Sequence, residues 1–207
     1  MKKKTFFITG ISTDVGKTVV SAIVTEALQA DYWKPIQSGD LDFCDTKRVA
    51  KLLSNTHSIY HPNAYALTTP MSPHASAKID NTVIDLSHIT VPKTDNHLVI
   101  EGAGGIMVPL NSSNTILDLI QPEYKVIVVS RHYLGSINHT LLTVNTLKQK
   151  GFDVSIIFSG NPLKSTEDIV SKLSDIPILG RVNEEPYFDK NVIKEYAGLF
   201  KDELLGM

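Results

Sequence analysis

Cysteine is almost missing from this chain: Cys44 is the only one in 207 residues. No intrachain disulfide can form, so the fold must rest on a packed core, and a reducing cytoplasm is the expected compartment. Long apolar runs are missing too. None approaches the ~20 residues of a membrane-spanning helix, so no membrane partner is expected. Excess charge is small. Twenty Lys and Arg stand against 22 Asp and Glu, a formal net charge of −2, which gives no general attraction to nucleic acid or anionic lipid. Lys2-Lys3-Lys4 makes a short basic start, but a strand-like segment follows it and not the apolar core of a secretory signal. Repeats, low-complexity tracts and linkers are absent. With 42% hydrophobic and 20% charged residues, an ordinary globular balance, 1–207 reads as a single domain.

What is present is concentrated near the start. Thr5-Phe-Phe-Ile8 is β-branched or aromatic throughout, as a buried strand requires. Gly10 ends it, and Gly16-Lys17-Thr18 opens an apolar helical run to about Gln29. A strand, a glycine-bounded loop and a helix start form a phosphate cradle, in which backbone N–H groups and the positive helix end face an anion. Lys17 adds a point charge for β- and γ-phosphates, and the Thr18 hydroxyl suits Mg²⁺. Five residues separate Gly10 from Gly16, one more than the standard phosphate-loop spacing.

Strand-like and helix-like segments then alternate. Strands are expected near 4–9, 31–36, 97–101, 125–130, 153–158 and 177–182. Helices are expected near 16–30, 45–54, 136–150, 165–175 and 189–205. Leu98-Val99-Ile100 and Val126 to Val129 are continuously apolar, as strands covered on both faces are. The expected class is α/β: a mostly parallel sheet flanked by helices, of the P-loop NTPase-like kind. Residues 57–96 are less regular and proline-rich, and read as a long excursion within the domain.

Ligands of such folds bind beyond the carboxyl ends of the strands. Thr13 and Asp14 lie at the tip of the phosphate loop, where a second substrate can approach. Lys34, in Lys34-Pro35-Ile36-Gln37-Ser38-Gly39, is suited to neutralising transferred phosphoryl charge. Asp45 opens a helix, where an acid is usually a cap; a metal role is the other reading, with Asp40 and Asp42 as alternatives. Glu101 closes an apolar strand and is followed by Gly102-Ala103-Gly104-Gly105, a placement suited to holding Mg²⁺ against a γ-phosphate. In Leu134-Gly135-Ser136-Ile137-Asn138-His139, Ser136 or Asn138 can cap the next helix, or its free N–H groups can hold a carboxylate.

Taken together, Gly10 to Thr18, Lys34-Pro35 with Ser38-Gly39, Ser72-Pro73-His74, Glu101 to Gly105, and Leu134-Gly135 with Ile137-Asn138-His139 resemble the dethiobiotin synthetases, in the same order over most of the chain. The lengthened phosphate loop is normal in that family. The resemblance implies that 7,8-diaminononanoate, CO₂ or bicarbonate, and ATP give dethiobiotin, ADP and phosphate in biotin biosynthesis. A carbamate would be phosphorylated to a mixed anhydride that the second amine closes into a ureido ring. Carried over, Lys34 and Lys17 are the catalytic cations, and Thr18, Asp45 and Glu101 are the Mg²⁺ ligands. The nucleotide would meet Asp14, Val15, Gly16, Lys17, Thr18 and Val19, then Asp45, Glu101, Gly102, Ala103 and Gly104. Its base end would meet Ser159, Gly160 and Asn183. Thr13 and Ser38 would hold the diamine end. Gly135, Ser136, Ile137 and Asn138 of the other subunit of a homodimer would hold the tail carboxylate, so that the two active sites are shared.

Three departures stand out. The family commonly has Asp-Thr-Glu where Ser12-Thr13-Asp14 stands, and an asparagine where Ser159 stands. The proline of its Gly-x-Ile-Pro is replaced in Gly180-Arg181-Val182-Asn183. The phosphate end is kept and the base end diverges. A second reading from another class is a P-loop switch ATPase of the partitioning or cell-division-positioning type. Those proteins usually carry an extra lysine early in the loop, and none occurs from Gly10 to Val15.

Overall fold

A computed structural model of the chain describes residues 3–207; Met1 and Lys2, the latter part of the basic start, lie outside the described residues. The first strand, β1 (Thr5–Gly10), buries Phe6, Phe7 and Ile8 completely. Burial of each such side chain is worth about 1.5–3 kcal/mol, which makes β1 the natural centre of the core. It feeds α1 (Lys17–Leu28), β2 (Asp31–Trp33), β3 (Ile36–Ser38), α2 (Asp45–Leu52), β4 (Tyr60–His61), β5 (Tyr65–Leu67) and α3 (Pro73–Ile79). The chain continues through β6 (Leu98–Gly105), β7 (Lys125–Arg131), α4 (Ser136–Gln149), β8 (Asp153–Ser159), α5 (Lys164–Ser174), β9 (Ile178–Val182) and α6 (Lys190–Gly206).

Seven strands form one sheet in the order β4-β2-β6-β1-β7-β8-β9, with every pairing parallel. Strands added after β1 first go to one side (β2, β6) and then to the other (β7, β8, β9). The order therefore reverses at β1, and the crevice of such a sheet opens at that switch point, beyond the carboxyl ends of its strands. The phosphate loop leaves β1 at this place. Parallel crossovers are right-handed, which puts α1 and α4 on opposite faces. α6 packs beside α1, and α5 beside α4. One contiguous apolar cluster runs through the sheet and both helical layers.

Three sequence expectations shift. The strand expected over 31–36 is two strands, because Pro35 has no N–H to give a ladder. β2 stays in the main sheet, while β3 leaves it and pairs with β5. The strand expected to close at Glu101 runs on to Gly105, with a register slip against β1 between Ile8 and Gly10. Glu101 thus sits inside a strand, and reaches the crevice because its neighbour β2 ends early. The region 57–96 holds β4, β5 and α3, and β4 forms an edge of the main sheet. These strands of two and three residues are too short for any alternation to register. For α3 the signal was present, since Pro73 is its first residue.

Candidate active site

The phosphate loop closes because small residues let it. A Cβ on Gly10 would fall 2.6 Å from Val15 Cγ2, and one on Gly16 would fall 2.8 Å from Ser159 Oγ. Gly16 also has φ +95°, a conformation open to glycine at no steric cost. It precedes α1 without any side-chain cap, so the first N–H groups of the helix are left for a ligand. The loop borders a cavity of about 770 Å³ at the switch point.

Two lysines meet in this cavity. Lys17, only 8% exposed, donates to the Ser12 carbonyl at 2.9 Å. Burial, helped by the nearby Lys34 charge, lowers its pKa to about 8 against the opposing pull of Glu101, Asp45 and Asp14. Lys34 reaches in from the end of β2. Its ammonium donates to Glu101 Oε1 at 3.0 Å and pairs with Asp45 Oδ2. Burial works to lower the Lys34 pKa, but the Glu101 and Asp45 carboxylates outweigh it and hold the lysine above its ordinary value. The same pairing holds Asp45 below the usual carboxylate range despite its burial.

Glu101 gathers the cluster. Thr18 Oγ1 donates to its Oε1 at 3.0 Å, and Tyr32 Oη donates to its Oε2 at 2.8 Å. Complete burial, with Glu101 alongside, pushes the Tyr32 pKa far up, so the phenol stays a donor. Asp45 is the first residue of α2 and makes no cap; its carboxylate turns into the cavity instead. Its backbone N–H donates to Gln37 Oε1 at 3.3 Å, which ties the start of α2 to β3. Of the alternative acids, Asp40 borders the cavity but faces Arg48 at 3.6 Å, and Asp42 does not border it. A hydroxyl and two carboxylates around one cationic position are hard oxygen donors of the kind Mg²⁺ takes, so these residues fit that ion.

The cavity brings together most of the residues singled out from sequence. Thr13, Asp14, Gly16, Lys17, Thr18 and Val19 line its loop side. Lys34, Ser38, Asp45, Glu101, Ala103 and Gly104 line it as well, with Glu101 in hydrogen-bond contact with Thr18 of the loop. Ser159 and Asn183 also line it, with Ser159 lying against Gly16 of the loop. Val15 and Gly102 are instead packed beneath it: Val15 is buried, and a Cβ on Gly102 would crowd Phe7 and Ile116. Gly160 does not line the cavity but lies near Glu184 and Arg131, which do. Gly135, Ser136, Ile137 and Asn138 do not line the cavity. Neither Ser136 nor Asn138 caps α4; Gly135 takes the cap position with φ 102°, and no side chain bonds there. Around this helix start, Leu134 is fully exposed, Leu142 is 60% exposed, and Tyr133 and Ile137 are 38% and 37% exposed.

Sequence reasoning missed several lining residues. Arg48 lies one turn after Asp45 on the same helix, a spacing that could have flagged it. Arg131 and Glu184, which pair at 2.7 Å, line the cavity, as does Phe188. They come from the ends of separate elements, and no local pattern links them. Met71 lines the cavity beside Ser72 and Pro73, two residues that the resemblance had already included.

Comparison with known proteins agrees with this picture. A family model described as an AAA domain matches residues 4–192. The ParA family ATPase of Chlorobium tepidum superposes with a TM-score of 0.62, covering 100% of both chains at 14% identity, which bears on the fold alone. The ATP-dependent dethiobiotin synthetase of Cytophaga hutchinsonii is 49% identical over 94% of this chain and 95% of its own. That of Christiangramia forsetii is 58% identical over 97% of this chain and 98% of its own. Likeness of that degree, end to end, is far more than a shared fold produces, and the chain belongs to the family of ATP-dependent dethiobiotin synthetases.

Proposed function

We infer that the chain performs the cyclo-ligase step of biotin biosynthesis, carboxylating 7,8-diaminononanoate and closing the ureido ring at the expense of ATP. The observation that carries this reading is the Lys34 ammonium, held by two carboxylates beside a phosphate loop, in a cavity that runs on past Thr13 and Ser38. A kinase or hydrolase has less use for a second, buried cation there. A reaction that joins two anions, a carbamate and a γ-phosphate, needs positive charge between them.

In the proposed sequence one amine of the diamine adds to CO₂ and loses a proton to give a carbamate. Thr13, Ser38 and the backbone at Gly104 hold this end. The uncapped start of α1 and Lys17 hold the triphosphate. Thr18, Asp45 and Glu101 would hold Mg²⁺, which when bound would neutralise charge on the β- and γ-phosphates. A carbamate oxygen attacks the γ-phosphorus, the bond to the β-bridging oxygen breaks, and ADP leaves. Lys34 and Lys17 stabilise the charge that builds on the transferring oxygens. The second amine then attacks the carbonyl carbon of the mixed anhydride, phosphate leaves with the electron pair, and the amine's proton goes to solvent. The base would lie among Arg131, Ser159, Asn183 and Glu184, which line the same cavity.

The tail carboxylate would meet the uncapped start of α4, Gly135 to Asn138, of a second subunit. The exposed Leu134 and Ile137 beside that start, and its separation from the cavity of its own chain, support a homodimer with shared sites. The reaction would take place in the cytoplasm. No described helix is long and apolar enough to cross a membrane. Measuring ADP release and dethiobiotin by mass, with and without diaminononanoate, tests the reading. Diamine-independent hydrolysis without dethiobiotin would replace it with the switch-ATPase class.

A further inference from the structure

Glu101 is 1% exposed and uses both of its oxygens. The partners of Oε1 are Thr18 Oγ1 and Lys34 Nζ, each at 3.0 Å, and both residues line the cavity. The partner of Oε2 is of another kind. Tyr32 is fully buried, lies in β2 between β4 and β6, and does not border the cavity. Its hydroxyl donates to Oε2 at 2.8 Å. A bound cation and triphosphate can exchange the Oε1 contacts, because those groups face the ligand. They cannot reach the Tyr32 contact.

We propose that Tyr32 is a positioning residue for the magnesium–nucleotide complex: its hydroxyl pins Glu101 Oε2 and so leaves Oε1 as the oxygen offered to the cavity. The inference rests on the reading of Glu101 as a ligand of the nucleotide's Mg²⁺. A glutamate side chain turns about its last torsion with little resistance, and its two oxygens are equivalent until something distinguishes them. A buried donor on one oxygen does so, as partners behind metal ligands commonly do. Tyr32 can serve because Tyr32 and Lys34 are two apart, so both project to the same face at the end of β2. They meet Glu101 from one side while holding different oxygens.

The test is Tyr32→Phe, which keeps the ring and deletes the hydroxyl. Circular dichroism first establishes that the variant folds. Manganese binding to the protein with adenylyl imidodiphosphate is then followed by electron paramagnetic resonance, and the Mg²⁺ dependence of dethiobiotin formation is measured in parallel. Loss of such a partner typically weakens metal affinity about 10- to 100-fold. A shift of that size in the manganese Kd is expected, with the KM for diaminononanoate unchanged. In a Glu101→Gln background the same substitution should add no further shift, since its effect passes through Glu101. A folded Tyr32→Phe with wild-type manganese binding overturns the proposal. If the single variant does not fold, Tyr32 is a structural residue and the proposal falls. Unaltered manganese binding in Glu101→Gln alone would instead remove Glu101 from the metal site, a different failure.

Discussion

Lys34→Gln is the perturbation that bears most directly on the chemistry. The glutamine keeps a hydrogen-bond donor, one bond shorter than the lysine, and removes the charge. Two consequences follow from the same contacts. First, Asp45 and Glu101, with side chains 18% and 1% exposed, lose the cation they share. Removing one partner of a buried ion pair costs about 3–5 kcal/mol. The retained amide donor puts the expected loss at about 3 kcal/mol, because a hydrogen bond to a charged group is itself worth about 1.5–3 kcal/mol. For a chain of this length that is a fall of roughly 6–12 °C in Tm. Second, charge that develops on the transferring phosphoryl oxygens loses its nearest buried cation. Deleting a positioned stabilising donor lowers kcat about 10²- to 10³-fold. A unit charge about 4 Å away at an effective dielectric of 20 is worth about 4 kcal/mol, which agrees in size. The assay is initial-rate formation of dethiobiotin with saturating diaminononanoate, bicarbonate and Mg-ATP, alongside a thermal melt. The kcat should fall far more than KM rises. A kcat within about threefold of wild type, with only KM altered, would make Lys34 a ground-state binder and refute the reasoning.

Four further outcomes are expected. Lys17→Ala should abolish turnover with the fold retained; near-normal rates would remove Lys17 from the phosphate cradle. Since the Lys17 pKa in the ligand-free protein is about 8, its ammonium is lost as pH rises through that value. A bound triphosphate favours the charged form, so nucleotide binding near pH 8 should take up a proton and weaken as pH rises above it; calorimetry in buffers of different ionisation enthalpy would show no uptake if this is wrong. Glu101→Gln and Asp45→Asn should each raise the Mg²⁺ concentration needed for half-maximal rate, and an unchanged titration excludes that residue from the metal site. Refolding inactive Lys17→Ala and Asn138→Ala chains together should restore roughly a quarter of wild-type sites, because one of the two sites in each mixed dimer is then intact; no recovery in proven mixed dimers would place the whole site within one subunit.

The amino-acid sequence by itself determined the parts of this protein whose cause is local. The β1–loop–α1 unit is legible because a β-branched strand, a glycine with φ +95° and a Gly-Lys-Thr helix start are consecutive choices, each enforcing the next. The long helices and inner strands are legible because their periods are sustained. Lys34 and Glu101 could be named because each was expected at a strand end on the side where such a sheet opens, and Asp45 because it opens the helix that comes next. Their relationship could not be named. That one ammonium is shared by Asp45 and Glu101, 56 residues apart in the numbering, follows only from β2 lying beside β6 in register. Likewise Asp45 looked like a cap until the packing of α2 turned its carboxylate inward. Nothing around Tyr32 in the sequence signals a polar role, and only the pairing of β2 with β6 gives its hydroxyl an acceptor. The tertiary structure also decided where β3 goes, since Pro35 says that a ladder must break but not which partner waits on the other side. Local rules act between residues a few positions apart, whereas a cavity at a switch point is assembled from strand ends that meet only once the sheet order is set.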